Sequence, residues 1–264
     1  MLLQWCKGYA LDKKRRSQGA EIGLRKPPNM VFLGNPGTGK TKVARMLAHI
    51  LHNIGAIRHA KVVEVQRTDL VGCYVGRTGI KTRAQLRKAE GGILFVDEAY
   101  RLLTAEDNTS DYGREALDEI LSQMDSKDLV VIFAGYTVPM KKVLDCNEGF
   151  RRRVGRIIEF PDYTPLQIVD IMNAKLAEER TCLQGFKLAP DCTRDAVAAL
   201  IESGIPAEER SKRNGGLAGT LPEYAREHLD GRLSAETDDF DELMTIGMKD
   251  LEAAVSQVAS CAKF

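Results

Sequence analysis

Met30-Val31-Phe32-Leu33-Gly34-Asn35-Pro36-Gly37-Thr38-Gly39-Lys40-Thr41 is the stretch on which the fold turns. A short apolar run suits a strand, residues 34–41 match G-x-x-x-x-G-K-[ST], and Val43, Leu47, Ile50 and Ile54 follow at helical spacing. Glycines at 34, 37 and 39 let the backbone curl without Cβ clashes. The loop of Gly34, Asn35, Pro36, Gly37, Thr38, Gly39, Lys40 and Thr41 can then turn its N–H groups on phosphate oxygens, at the positive end of the next helix. Lys40 brings a compact positive charge to the outer phosphates, and the Thr41 hydroxyl suits a Mg²⁺ position. The ligand implied is a nucleoside triphosphate.

Downstream, Gly91-Gly92-Ile93-Leu94-Phe95-Val96-Asp97-Glu98 reads as a strand buried on both faces with two carboxylates at its carboxyl end. That is where open α/β sheets bind ligands. Asp97 is placed to orient the Mg²⁺ shell opposite Thr41, and Glu98 to orient and deprotonate an attacking water. Adjacent acids that merely start a turn are the plainer alternative, which the upstream phosphate loop disfavours.

Working outward, residues 2–17 form an expected helix ending in Lys13-Lys14-Arg15-Arg16. A solvated helix end that suits the macrodipole is the first reading of that cluster, contact with a polyanion the second. Strands are expected at 61–65, 93–96, 128–135 and 156–160, with helices at 78–90 and 112–125 between them. The alternation predicts a parallel sheet with helices on both faces. After Pro161 the pattern turns helical, over about 165–180, 191–203, 220–233 and 248–260, and Thr164-Pro165-Leu166-Gln167 has the makings of a capping box. The expected division is an α/β nucleotide-binding domain at 1–162 and a small all-α lid at 163–264.

The 264 residues are 28% charged and 44% apolar with net charge +1, so no general attraction to nucleic acid or membrane follows. No apolar run approaches a membrane span, and the N-terminus lacks the pattern of a signal peptide. Six scattered cysteines without C-x-x-C pairs indicate neither a zinc site nor a disulfide framework. The expectation is a soluble intracellular protein, cytosolic or plastid.

Taken together, these residues resemble an AAA+ ATPase, specifically the CbbX/CfxQ family that includes the red-type Rubisco activases. The resemblance rests on Gly34–Thr41, Leu70–Gly76, Gly91–Tyr100, Asp111-Tyr112-Gly113, Phe133–Tyr136, Glu148–Arg153 and Phe160–Pro165. It also extends to plant and algal relatives with ankyrin repeats upstream, which this sequence does not contain. The family implies ATP and Mg²⁺, a ring usually of six subunits, and a protein client. It implies that an arginine of one subunit reaches the γ-phosphate held by the next, and that finger falls on Arg153, with Arg151 as the fallback. Tyr74-Val75-Gly76 corresponds to the family's pore loop, although Tyr74 packing beneath the loop is the plainer reading.

Two departures stand out. Tyr136 ends the fourth strand, where many AAA+ proteins place asparagine or threonine. In the helical region Asn214-Gly215-Gly216-Leu217-Ala218-Gly219-Thr220 stands where the family has N-[AG]-R-x-x-R-N, with glycine at both arginine positions. Lys212 and Arg213 are the nearby candidates to substitute. The resulting expectation is an ATP-hydrolysing motor that remodels a protein partner. The alternative is a nucleotide-binding scaffold subunit of a mixed ring with weak hydrolysis, while a small-molecule kinase or DNA motor is disfavoured.

Overall fold

Apolar strands without alternation must be covered on both faces, and three strands here are. The computed structural model describes all residues except 1, 24, 104–109, 127, 147, 179–181, 235 and 262–264, and leaves out the side chains of Leu2, Ser110, Asp111 and Cys146. The Asp111 side chain, part of the family resemblance, therefore lies outside the described residues. Two units divide the chain: Met1–Gly34 with Gly39–Phe160, and Asn35–Thr38 with Pro161–Phe264.

The first unit runs α1 (Leu2–Ser17), β1 (Asn29–Leu33), α2 (Lys40–Asn53), β2 (Val62–Val65), α3 (Arg67–Leu70), α4 (Thr78–Ala89), β3 (Ile93–Val96), a 3₁₀ turn (Ala99–Leu102), α5 (Ser110–Gln123), β4 (Val130–Gly135), α6 (Thr137–Cys146), α7 (Glu148–Arg153) and β5 (Val154–Glu159). The five strands are parallel in the order β2-β3-β4-β1-β5. The central three are buried along their whole length, while the edge strands β2 and β5 are partly exposed. Side chains alternate across the pleat, so the sheet feeds two cores. Val31, Leu33, Leu94, Val96, Val131 and Phe133 pack on the side of Leu86, Leu117 and Ile120. Met30, Phe32, Ile93, Phe95, Ile132 and Ala134 pack against Ala44, Leu47 and Leu51 of α2. Helices therefore cover both faces.

Asn29, buried at the head of β1, is the polar exception. Its amide donates to the carbonyls of Met124 (3.1 Å) and Arg153 (3.3 Å) and its oxygen accepts from Val131 N–H (3.0 Å). One side chain thus ties β1 and β4 to the end of α7.

The second unit runs α8 (Pro165–Leu176), β6 (Lys187–Leu188), α9 (Arg194–Gly204), α10 (Ala207–Arg213), α11 (Leu217–Arg232), α12 (Phe240–Leu243), β7 (Thr245–Ile246) and α13 (Met248–Cys261). Both halves of the capping box at α8 form: Gln167 N–H donates to Thr164 Oγ1 (3.3 Å) and Thr164 N–H to Gln167 Oε1 (3.0 Å). The core joins Ile168 and Met172 to Ile201, Leu221, Leu251 and Val255. Among the described residues the regular elements of this unit are helices apart from β6 and β7, a two-residue parallel pairing. Such a pairing is too short to show alternation in the sequence.

Candidate active site

β1 ends in the glycine loop and β3 in the two acids, both at the carboxyl edge of the sheet. Gly34 (φ 156°) passes so close to the strand leading out of β5 that an added Cβ would stand 2.4 Å from Phe160 O. Gly39 caps α2 in the left-handed region (φ 88°), which a β-carbon disfavours. Lys40 and Thr41 then open the helix, both half-buried. The Lys40 ammonium donates to Gly34 O at 2.8 Å. Burial pulls its pKa down, and the charges of Asp97 and Glu98 pull it back up. Lysine and acids therefore share one electrostatic neighbourhood.

Asp97 is half-buried. Burial raises its pKa, opposed by the hydrogen bond from Glu98 N–H (3.0 Å) and by the Lys40 charge. Glu98 sits in the left-handed region (φ 48°), a conformation that costs a non-glycine residue roughly 1–2 kcal/mol. Arg101 pairs with Glu98 Oε2 at 2.9 Å, and Tyr100 O–H donates to Oε1 at 3.4 Å. The Tyr100 and Tyr136 rings lie 5.7 Å apart, so the tyrosine at the end of β4 bears on Glu98 through Tyr100. Arg101 and Tyr100 are contacts that sequence reasoning did not single out. Their closeness in sequence to Glu98 was the available signal.

Among the described residues no group of three or more His, Cys, Asp or Glu is arranged for a metal. The Thr41 hydroxyl and the Asp97 carboxylate are oxygen donors of the kind that suits Mg²⁺, an ion that takes most of its ligands from water and phosphates.

The basic run lies on α7. Phe150 is fully buried, edge-on to Phe133 at 4.6 Å, and anchors the helix to the core. Arg153 is 35% exposed, its Nε donating to Asp125 Oδ2 at 2.9 Å and its Nη1 to Gly149 O at 3.3 Å. Arg151 and Arg152 extend further, 73% and 81% exposed, in looser pairs with Asp145 (3.6 Å) and Glu148 (3.7 Å). Asp125 and Asn29, which hold Arg153 by its side chain and its carbonyl, were not identified from sequence.

Between α3 and α4 the loop has a tight base and an open tip. Gly72 N–H donates to Thr78 Oγ1 (3.1 Å), and Thr78 is buried. Tyr74 and Val75 are 76% and 82% exposed, so Tyr74 does not pack beneath the loop. Gly76 (φ 76°) has open space where a Cβ would go.

In the second unit the loop tip Asn35–Thr38 meets the helical segment. Gly215 N–H donates to Gly37 O (3.2 Å), Tyr163 O–H to Thr38 O (3.0 Å), and Asn35 Nδ2 to Asp162 (3.0 Å) and Ser211 (2.9 Å). Asn214, fully buried at φ 45°, bonds Tyr163 N–H (2.9 Å) and Asp162 (2.9 Å). Lys212 pairs with Glu208 (2.9 Å) and Glu209 (3.4 Å), and Arg213 with Glu209 (3.3 Å). These two cations are spent inside α10.

A family model described as "ATPase family associated with various cellular activities (AAA)" matches residues 30–162, and one described as a domain of unknown function (DUF8495) matches residues 162–259. The chain is 48% identical over 152 residues to "Protein CfxQ" of Xanthobacter flavus, an alignment covering 57% of this chain and 48% of that protein. It is 40% identical over 191 residues to the chloroplastic ribulose bisphosphate carboxylase/oxygenase activase of Cyanidioschyzon merolae, covering 70% and 63%. The chain spans about half the length of the first curated relatives it matches. Among solved structures, the FIGL-1 AAA domain in complex with ADP aligns with a TM-score of 0.61 over 94% of this chain and 77% of that one. At 22% identity that likeness speaks for fold alone.

Proposed function

Since the chain belongs to the AAA ATPase family, and within it to the CbbX/CfxQ group, we propose that it is a ring-forming ATPase that remodels a protein client. The observation that carries this reading is the cluster of Lys40, Asp97 and Glu98 at the carboxyl edge of the sheet, with the glutamate in a strained conformation. Strain of that kind collects at functional sites.

In this reading Gly34–Thr41 cradles the phosphates and Lys40 neutralises the outer ones. Thr41 and Asp97 would hold Mg²⁺, which would supply further neutralisation of phosphate charge. Glu98 takes a proton from water as the water oxygen attacks the γ-phosphorus and ADP leaves. Arg153, anchored through Phe150 and steered by Asp125, reaches from one protomer to the site of the next. Tyr74 and Val75 offer an exposed apolar grip to an extended polypeptide, and Gly76 lets that tip move. No helix among the described residues is long and apolar enough to cross a membrane. A reducing compartment, cytosol or plastid, suits the scattered free thiols.

Glu98→Gln tests the assignment. It should retain ATP while steady-state hydrolysis falls by about 10²–10⁴. Unchanged turnover would reject it. A second reading has its own observation: glycine stands at both lid-arginine positions and the neighbouring cations are already paired, so this chain acts as the nucleotide-binding scaffold of a mixed ring. Robust ATPase activity of the isolated protein, rising with its own concentration, excludes that reading.

A further inference from the structure

At the opposite, amino edge of the sheet from the phosphate loop, the first unit encloses a cavity of about 520 Å³ between α1, the carboxyl end of α2 and the turns leading into β3 and β4. Its wall is basic. Lys13, Arg16, Arg25, Lys26 and Arg58 line it, with Asp128 the one carboxylate among the described lining residues.

Only part of that charge is answered. Arg25 is held by Asp12 at 2.9 Å, and Arg58 is shared between Glu90 (3.3 Å) and Asp128 (3.5 Å). Lys13, Arg16 and Lys26 form no ion pair among the described residues. Arg16 donates to Gly23 O (3.3 Å) and Lys26 to Met124 O. Lys26 is half-buried, and burial draws its pKa down against the charge of Asp125. Tyr9 donates to Arg25 O at 2.9 Å, and its pKa is pushed up to about 12 by burial, so it adds no negative charge.

Helix ends often gather cations to satisfy their last carbonyls. Here the backbone does much of that work. Gln18, Gly19 and Ala20 N–H close the end of α1, and Ile54, Gly55 and Ala56 N–H close the end of α2. The unpaired cations remain available to something else. Like charges gathered around one cavity repel, and a ligand of opposite charge removes that cost.

We propose that this cavity binds a small, multiply charged phosphorylated anion. Its volume falls in the range of small-molecule sites and is too small for a polynucleotide. Guanidinium forks from Arg16 and Arg58 beside the ammonium groups of Lys13 and Lys26 match phosphate oxygens, the forks in pairs and the ammoniums as points of charge.

The test is calorimetric titration of inorganic pyrophosphate into the full chain, into Lys40→Ala, and into Lys13→Ala/Arg16→Ala, whose altered side chains are exposed. Lys40→Ala disables the phosphate loop and should leave one binding event intact. The double variant should weaken that event by about tenfold or more while keeping its melting temperature, and added salt should weaken it in the parent chain. Binding that disappears in Lys40→Ala yet survives in the double variant overturns the proposal. So does displacement of pyrophosphate by a short single-stranded DNA, which would make the basic wall a nucleic-acid surface.

Discussion

Two glycine turns that look alike in the sequence, Gly34–Gly39 and Asn214–Gly216, end in different chemistry. Both bend the backbone into positive φ, at Gly37 (71°) and Gly39 (88°) in one and at Asn214 (45°) in the other. The first opens onto a 14-residue helix and delivers a half-buried ammonium, Lys40, into the neighbourhood of two acids. The second follows Lys212 and Arg213, whose charges are already met by Glu208 and Glu209. Its Gly215 serves close approach instead, since an added Cβ there would stand 2.8 Å from Gly37 O. Glycine opens a turn, but the charged groups placed beside it decide what the turn does.

The sharpest way to break this contrast is to remove a lysine from each turn. Lys40→Ala should lower ATP turnover by about 10²–10³, the cost of losing one preorganised charge on the reacting phosphates. Lys212→Ala should leave turnover within about twofold, because an exposed i,i+4 pair contributes little. Equal losses in a steady-state ATPase assay would erase the distinction.

Backbone demands come next. Gly37→Ala places a Cβ 2.5 Å from Arg213 O at φ 71°, so it should destabilise the fold by at least about 1–2 kcal/mol. Gly216 is helical (φ −62°) with open space around it, and Gly216→Ala should be neutral or stabilising by about 0.5 kcal/mol. Melting curves of the pair decide it, and matched shifts would contradict the geometry.

Gly216→Arg then asks whether the second turn can be given the first turn's chemistry. A new charge-assisted hydrogen bond of roughly 1.5 kcal/mol would raise ATP affinity by about tenfold. Unaltered affinity would show that the second turn has no phosphate within reach.

The smallest effect is on acid stability. Burial raises the pKa of Asp162, but hydrogen bonds from Ser211, Asn214 and Asn35 outweigh it and hold the carboxyl below its usual value. A depressed folded pKa means this stabilisation is fully present above the ordinary carboxylate range and is lost as pH falls below about 4. Asp162→Asn should flatten that acid limb in pH-dependent melting. An unchanged limb would remove Asp162 from the account.

Local order is legible in the residues themselves. Strand, glycine loop and helix at 29–53 fall where the residue pattern puts them, because their determinants are consecutive: apolar run, glycines, helical spacing. The same holds for β3 with its two acids and for the Thr164–Gln167 cap. Asn29 was illegible because its value lies in three partners about a hundred residues away. The three arginines at 151–153 are one uniform run in sequence, and the buried Phe150, Asp125 and the Asn29 amide make them unlike.

By itself the sequence determined the parallel-sheet fold and a phosphate loop at the end of its first strand, since both follow from short-range patterns of apolarity and backbone freedom. Only the tertiary structure decided which cations are paired and which stand unpaired among the described residues, as with Arg153, held by Asp125, against Lys13. The reason is physical: a charge's partners come from elements distant in the chain, and packing alone brings them within a few ångströms.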